Sequence, residues 1–131
     1  MKVLLSNLSL FSTFLLAVIF SSCRHEAMGV DSLETVCFET QVLPIFQTSC
    51  AISGCHGGSH PEEGFDATSY SSIMKLVEPG KPQKSEVYRV ITSPLNPEMM
   101  PPDRPLTKEQ RTLIEVWILQ GAKNTSCSTT K

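Results

Sequence analysis

The sequence has no run of basic residues and no excess of positive charge. Its 131 residues include 11 Lys and Arg against 13 Asp and Glu, so the formal net charge is −2. Proteins that bind DNA or RNA use clustered Lys and Arg side chains to neutralise phosphate groups. The sequence therefore predicts a protein with no nucleic acid partner.

Long apolar runs, repeats and strand patterns are missing as well. The uninterrupted apolar run 14–20 is far shorter than the roughly 20 residues of a membrane-spanning helix. No unit repeats along the chain, and no alternation of apolar and polar residues extends far enough to indicate a strand. Nine prolines and seven glycines argue against a coiled coil or a long helical bundle. What remains is one small domain with short elements.

Residue sets for side-chain catalysis are also missing. The sequence has no Ser/His/Asp set, no phosphate-binding loop and no pair of catalytic carboxylates. The adjacent charges Glu62–Glu63 and Asp103–Arg104 are predicted to lie on the surface. The protein is therefore predicted not to be an enzyme that works through its side chains.

The N-terminal segment has the pattern of an export signal. Lys2 gives it a positive start, residues 3–20 are mostly apolar, and two serines precede Cys23. This end resembles the lipobox of bacterial lipoproteins, in which the first cysteine of the mature chain is lipidated, although Phe20 stands where Leu is usual. Plain secretion and an uncleaved anchor are the alternatives.

This interpretation divides the chain into three parts. Residues 1–22 are a predicted signal peptide, 23–33 a lipidated N-terminus and tether, and 34–131 the folded domain. Acyl chains on Cys23 would hold the protein at a membrane surface. We therefore expect a lipid-anchored protein of the bacterial cell envelope that faces the periplasm.

The rest of the chain predicts short helices joined by long loops. The stretch 49–64 is rich in glycine with little periodicity, and 93–105 is rich in proline, so both are predicted loops. A capping box at 107–110 makes the last helix the clearest. The predicted helical segments are 34–46, 66–77, 85–92 and the segment from 107 to the stop at Gly121. The predicted fold class is all-α.

Two thiols and an imidazole lie close together in the first loop. Cys50 and Cys55 are separated by four residues, and His56 follows Cys55 directly. Covalent haem attachment uses such a set, because two sulfurs form thioethers with the haem vinyl groups and the adjacent His reaches the iron. The usual spacer has two residues, and Gly54 with its small neighbours would let a longer loop bulge. A disulfide between the two cysteines is the alternative.

A second iron ligand is predicted in the proline-rich loop. Met99 and Met100 directly precede Pro101 and Pro102, which stiffen the chain. A methionine more often fills a gap in a core. Met100 is preferred as the ligand because it adjoins the prolines, and Met99 and His60 are the alternatives. Ligation by His and Met raises the reduction potential and closes the iron to substrates, which suits electron transfer.

These motifs resemble the cytochrome c superfamily over nearly all of the predicted domain. The sequence is similar to the single-haem cytochrome domains of bacterial lipoproteins, including planctomycete-like ones. The resemblance implies a small all-α cytochrome c-like fold packed around one covalent haem c. The segments that carry it are Val42–Phe46, Cys50–Gly58, Lys84–Ile91, Met100–Pro102, Pro105–Gln110 and Trp117–Ala122.

The resemblance also implies roles for individual residues. It makes Cys50 and Cys55 the thioether sites, His56 the proximal iron ligand and Met100 the distal ligand. The four-residue spacer between the cysteines departs from the usual family pattern. The exposed haem edge near 54–60 is the expected docking place for redox partners.

A crossing of the first and last helices near the haem edge is implied too, with Phe46 and Trp117 among the contacts. If the helices cross in this way, a disulfide between Cys37 and Cys127 would close a loop of about 90 residues. Two free thiols are the alternative. With Cys23 lipidated and two thioethers formed, this pairing would account for all five cysteines.

The predicted function is a single-haem c-type cytochrome that transfers single electrons between a donor and an acceptor protein at a bacterial membrane surface. Haem peroxidase-like activity would need an open sixth position on the iron. Two alternatives remain. One is a Cys/His/Met metal site, because thiolate and imidazole ligands suit zinc and Cys/His/Met suits copper. The other is a disulfide-stapled lipoprotein that binds a partner without haem.

Overall fold

The computed structural model describes residue 29 and residues 33–93 and 97–127. This part of the chain contains four short α-helices. They are α1 (Leu43–Ser49), α2 (Tyr70–Ile73), α3 (Glu86–Thr92) and α4 (Lys108–Leu119). A π-helical turn, Phe38–Val42, leads into α1, and 3₁₀ turns lie at Glu62–Gly64, Met74–Leu76 and Pro82–Lys84.

The all-α class is confirmed. Over the described residues the chain has no strand, and one isolated bridge joins Ser53 to Gly57. Across the same ranges each helix is too short or too polar to cross a membrane. The predicted signal peptide, Cys23 and most of the tether lie outside the described residues, so these predictions stay open.

The first helical segment differs from its prediction in both position and form. The predicted helix 34–46 begins only at Phe38, as a π-helical turn, and continues as α1 to Ser49. Pro44 does not limit it, because proline is tolerated in the first turn of a helix, where the N–H has no partner within the helix. The helix therefore delivers the chain directly to Cys50.

Asp66 and Ser85 are the first residues of two predicted helical segments, and either side chain could have capped its helix, but neither does so in the structure. Asp66 does not cap α2, because its Oδ1 accepts hydrogen bonds from the N–H and the hydroxyl of Thr68 at 2.8 and 2.7 Å. Ser69 supplies the cap instead. Ser85 precedes α3 as predicted, but its Oγ bonds to the N–H of Glu78 and the carbonyl of Lys81. Short polar side chains compete for nearby backbone groups in this way.

The last helix follows its sequence signals closely. Thr107 Oγ1 accepts the N–H of Gln110 at 3.2 Å, and Gln110 Oε1 accepts the N–H of Thr107 at 2.9 Å. This capping box begins α4 at Lys108, and the helix ends at Leu119, two residues before Gly121. Gly121 has a φ of 93°, which favours glycine.

The core lies where α4 packs against the π-helical turn. Phe38 and Trp117 are each 1% exposed, and their ring centroids are 5.3 Å apart. Phe46 is equally buried, in the same cluster. The Trp117 Nε1–H donates to the carbonyl of Lys123 at 3.0 Å, so the buried indole has its partner. The first and last helical segments thus meet, as the resemblance implied.

The predicted disulfide between Cys37 and Cys127 is present, with the two Cα atoms 5.8 Å apart. Hydrogen bonds reinforce the junction that it closes. The hydroxyl of Thr125 accepts the N–H of Phe38 at 3.0 Å, and Gln120 Oε1 accepts the N–H of Val36 at 2.8 Å. The two ends of the described domain are therefore joined both covalently and by hydrogen bonds.

Candidate functional site

The cysteine loop, residues 50–66, is held in shape by its own backbone. The carbonyl of Cys50 accepts the N–H of His56 at 3.1 Å, and the carbonyl of Cys55 accepts the N–H of Glu62 at 2.9 Å. The carbonyl of His56 then accepts the N–H of Ala67 at 2.9 Å. Each member of the Cys50, Cys55 and His56 set therefore has a fixed backbone position.

Glycines let the loop fold back on itself. Gly54 has a φ of 81°, in the left-handed region that favours glycine. Gly57 lies so close to the preceding turn that a Cβ atom there would be 2.2 Å from the carbonyl oxygen of Ala51. Gly54 thus gives the four-residue spacer a left-handed turn, and Gly57, which lies beyond the spacer, lets the chain close on Ala51.

One ring nitrogen of His56 is hydrogen-bonded, and the other is available to a ligand. Its Nδ1 lies 3.1 Å from the carbonyl oxygen of Glu62. A carbonyl only accepts, so Nδ1 carries the hydrogen and the neutral ring keeps its lone pair on Nε2. The ring also makes an edge contact with Phe65 at a centroid distance of 5.0 Å. A hydrogen bond at the second nitrogen is the usual support of a metal-ligating histidine.

The two loop cysteines are free thiols in unlike surroundings. Cys55 is exposed, whereas Cys50 is half-buried and packs against the core. Burial, and to a lesser extent the neighbouring Cys55, raises the pKa of the Cys50 thiol to about 11. At neutral pH Cys50 is therefore protonated, so it is a poor nucleophile as long as it stays packed. The alternative of a disulfide between them is not present.

Met100 lies on a separate segment, the methionine loop, residues 97–105. Its N–H donates to the carbonyl of Val90 in α3 at 2.9 Å, which fixes the backbone of the residue. The side chain is 37% exposed, unusually open for a methionine that would fill a core. Met99 is half-buried. The structure brings Cys50, Cys55 and His56 together in the cysteine loop. Met100 lies outside that loop and is hydrogen-bonded to α3.

The donor set fits a haem group better than a bare metal ion. In the ranges that the structure describes, no group of three His, Cys, Asp or Glu side chains lies close enough to hold a metal. A haem iron needs only axial donors from the protein, and the open Nε2 of His56 is such a donor. The free thiols of Cys50 and Cys55 fit covalent attachment of the ring.

Sequence reasoning missed the part that Glu62 plays. This residue was expected to be surface charge, and its side chain is exposed. Its carbonyl oxygen, however, accepts the hydrogen bond that orients His56. Every residue has a carbonyl group, so no side-chain pattern could have identified this one. The role follows from the 3₁₀ turn at Glu62–Gly64, which aims the carbonyl at the ring.

A family model matches part of the chain. Residues 53–104 match the family model PSCyt1, described as planctomycete cytochrome C. The matched span includes Cys55, His56 and Met100 and begins after Cys50. The match supports a cytochrome c-like domain. In general terms it also indicates a haem c electron carrier rather than an enzyme. Neither the curated proteins nor the solved structures give a significant match.

Proposed function

We propose that this protein is a single-haem c-type cytochrome that transfers single electrons between redox proteins at a bacterial membrane surface. The observation that carries the proposal is the state of His56. Its Nδ1–H is bound to the carbonyl of Glu62, which leaves Nε2 as a lone-pair donor for iron. The adjacent free thiols and the family match over 53–104 point to the same group.

Cys50 and Cys55 are the proposed thioether sites. Addition of each S–H across a vinyl double bond joins sulfur to one carbon and moves the hydrogen to the other, so no oxidant is consumed. Cys55 is exposed and reachable without rearrangement. Cys50 packs against the core, so we expect its side chain to turn outward during attachment. The two bonds would keep the haem from dissociating.

Met100 is the proposed second axial ligand. When bound, the haem iron supplies a centre that changes by one electron between its ferrous and ferric states. The open thioether of Met100 and its backbone bond to Val90 suit a side chain that must reach outward from a fixed point. A neutral sulfur ligand favours the ferrous state and so raises the reduction potential.

The location that we propose is the periplasm-facing surface of the cell envelope, with Cys23 lipidated after removal of residues 1–22. The signal-like pattern before Cys23 supports this location. The Cys37–Cys127 disulfide supports it independently, because disulfides persist in oxidising compartments such as the bacterial periplasm.

The proposed redox partners dock at the cysteine loop through a basic surface. Between Leu33 and Met74 the chain has five carboxylates and neither Lys nor Arg. Two of these carboxylates, Glu62 and Glu63, are exposed on the loop beside Cys55, and the neighbouring Ile52 is 52% exposed. An apolar residue with negative charge around it suits a partner of opposite charge, which electrostatic attraction would steer to this surface.

Axial-ligand variants of the full chain, produced with a cytochrome c maturation system, test the proposal. We expect Met100→Ala to lower the reduction potential and change the ferric visible spectrum, because the iron loses its sulfur ligand. His56→Ala is expected to abolish the native spectrum. His60→Ala is the matched control, because His60 is an exposed histidine of the same loop, and its spectrum should equal that of the unaltered protein. A Met100→Ala protein with unchanged potential and spectrum would exclude Met100 as the ligand.

A further inference from the structure

Phe65 supports His56 through both its side chain and its backbone. Its ring makes an edge contact with the His56 ring, with the centroids 5.0 Å apart and the planes at 64°. Its N–H donates to the carbonyl of Glu62 at 3.1 Å, and the same oxygen accepts the Nδ1–H of His56 at 3.1 Å. A carbonyl oxygen has two lone pairs, so it can accept both hydrogen bonds. Phe65 therefore lies against the His56 ring and also holds the acceptor of its hydrogen bond.

Phe65 also connects this arrangement to the core. Its side chain is half-buried and packs against the buried core residues. Two residues later, Ala67 is fully buried, and its N–H donates to the carbonyl of His56 at 2.9 Å. Between Glu62 and Phe65, Glu63 has a φ of 53°, which is unfavourable for a residue with a side chain. The contacts of the neighbouring residues keep the turn in this conformation.

A hydrogen bond at Nδ1 does not by itself fix the plane of an imidazole ring. The torsion that turns a histidine ring has broad minima, and rotation of the ring about the direction from Nδ1 to the carbonyl oxygen redirects the lone pair on Nε2. The adjacent Phe65 ring limits this rotation. We propose that Phe65 is a positioning residue that fixes the plane of the His56 ring and so the direction of the Nε2 lone pair. This inference rests on the proposed function, in which Nε2 binds iron.

Phe65→Leu in the haem-bound full chain tests this role, because leucine is apolar and keeps the backbone N–H but has no flat ring. In the ferric protein the NMR shifts of the haem methyl groups depend on the plane of the axial imidazole, so we expect their pattern to change. In the ferrous protein we expect the His56 Nδ1 proton to exchange with water about two- to tenfold faster, which corresponds to the loss of one aromatic contact. Phe65→Tyr keeps the ring and should preserve both signals.

Phe38→Leu is the matched control. Phe38 makes an edge contact with Tyr70 at the same centroid distance, 5.0 Å, in the core and outside the cysteine loop. Because Phe38 is the more buried ring, we expect its loss to lower the free energy of unfolding at least as much as Phe65→Leu does. The haem methyl pattern and the Nδ1 proton exchange should nevertheless equal those of the unaltered protein. The comparison therefore separates a general loss of stability from a change at His56.

An unchanged methyl pattern or unchanged proton exchange in Phe65→Leu, or changes equal to those in Phe38→Leu, would overturn the positioning role. Phe65→Met, whose long side chain also lacks a flat ring, gives the same test if Phe65→Leu yields too little haem-bound protein. An unaltered protein that carries no haem would overturn the proposed function and this inference with it. Intact mass separates that outcome from the first, since it reports haem attachment without reference to Phe65.

Discussion

Glycine at position 57 allows two backbone segments of the cysteine loop to touch. A Cβ atom would lie 2.2 Å from the carbonyl oxygen of Ala51, closer than any real contact of that kind. Because the obstacle is backbone, it cannot turn away as a flexible side chain would. The position of His56, one residue earlier, depends on this close approach.

We expect Gly57→Ala to open the loop and to lower both the yield of haem-bound protein and the free energy of unfolding, the latter by about 1–3 kcal/mol. Gly58→Ala is the control in the same loop, because a Cβ there meets open space and only its φ of 85° is unfavourable. Thermal unfolding and haem content measured on both variants check the prediction. Equal yields for the two variants would contradict it.

The pH dependence of stability offers a second test at the residue scale. Burial, and to a lesser extent the neighbouring carboxylate of Glu115, raises the pKa of Tyr88 from 10.0 to about 12. The folded protein therefore keeps this proton at pH values where the unfolded chain has lost it. The stabilisation is complete below pH 10 and is lost as the pH rises toward 12.

We expect the free energy of unfolding to fall more steeply between pH 10 and 12 in the unaltered protein than in Tyr88→Phe, which lacks the titrating group. Denaturant unfolding at closely spaced pH values measures both slopes. Parallel curves would mean that Tyr88 titrates alike in the folded and unfolded states.

Among the elements, the last helix could be read from sequence and the earlier ones only in part. Thr107 and Gln110 have the spacing of a capping box, and no neighbouring residue competes with Thr107 for the cap position. Near α2, by contrast, Asp66, Thr68 and Ser69 are all able to cap a helix, and only the folded chain shows that Ser69 does so. Near α1, a proline in an apolar segment is compatible with an interrupted or a continuous helix, and the structure places Pro44 in the first turn, where a helix tolerates proline.

The same distinction holds for the candidate site. Cys55 and His56 are adjacent in sequence, so their chemistry was visible without a structure. The carbonyl of Glu62 and the backbone bond between Met100 and Val90 join residues brought together only by folding. Backbone groups have no sequence signature, so these supports could not be predicted.

The disulfide between the first and last helical segments gives a prediction at the element scale. Cys37 and Cys127 are 90 residues apart, so the bond removes much of the freedom of the unfolded chain. We expect replacement of both cysteines by serine to lower the free energy of unfolding by about 2–4 kcal/mol, measured by denaturant titration.

Thr125→Val is the control for the disulfide. This substitution removes only the hydroxyl that accepts the N–H of Phe38 at the same junction. It should lower the free energy of unfolding by about 1 kcal/mol. A serine variant that is no less stable than this control would mean that the covalent closure adds nothing beyond the local contacts. We expect the haem spectrum to survive both changes, because neither residue belongs to the cysteine loop.

Over the whole molecule, charge is divided unevenly. The segment 33–74 has five carboxylates and neither Lys nor Arg. The next segment has four exposed basic side chains, Lys75, Lys81, Lys84 and Arg89. The formal net charge of the whole chain is only −2, so it does not reveal this division. The cysteine loop therefore presents a negative surface on a nearly neutral protein, and an approaching redox partner responds to that local field.

We expect Glu62→Gln with Glu63→Gln to slow oxidation of the ferrous protein by tris(1,10-phenanthroline)cobalt(III), a cationic one-electron oxidant, by about threefold at low ionic strength. Oxidation by the anionic hexacyanoferrate(III) should become faster. The control pair, Glu78→Gln with Glu86→Gln, removes the same charge from the basic segment. Stopped-flow rates that change equally for both pairs would show that net charge, rather than the cysteine loop, controls the encounter.

The intact mass of the protein produced with a cytochrome c maturation system, measured after acid-acetone extraction, tests the central claim most directly. The account predicts a polypeptide heavier by one haem, with visible haem bands that stay with the protein, and a Cys50→Ser, Cys55→Ser variant that loses them. A colourless polypeptide with the mass of the chain alone and a second disulfide between Cys50 and Cys55 would contradict the account.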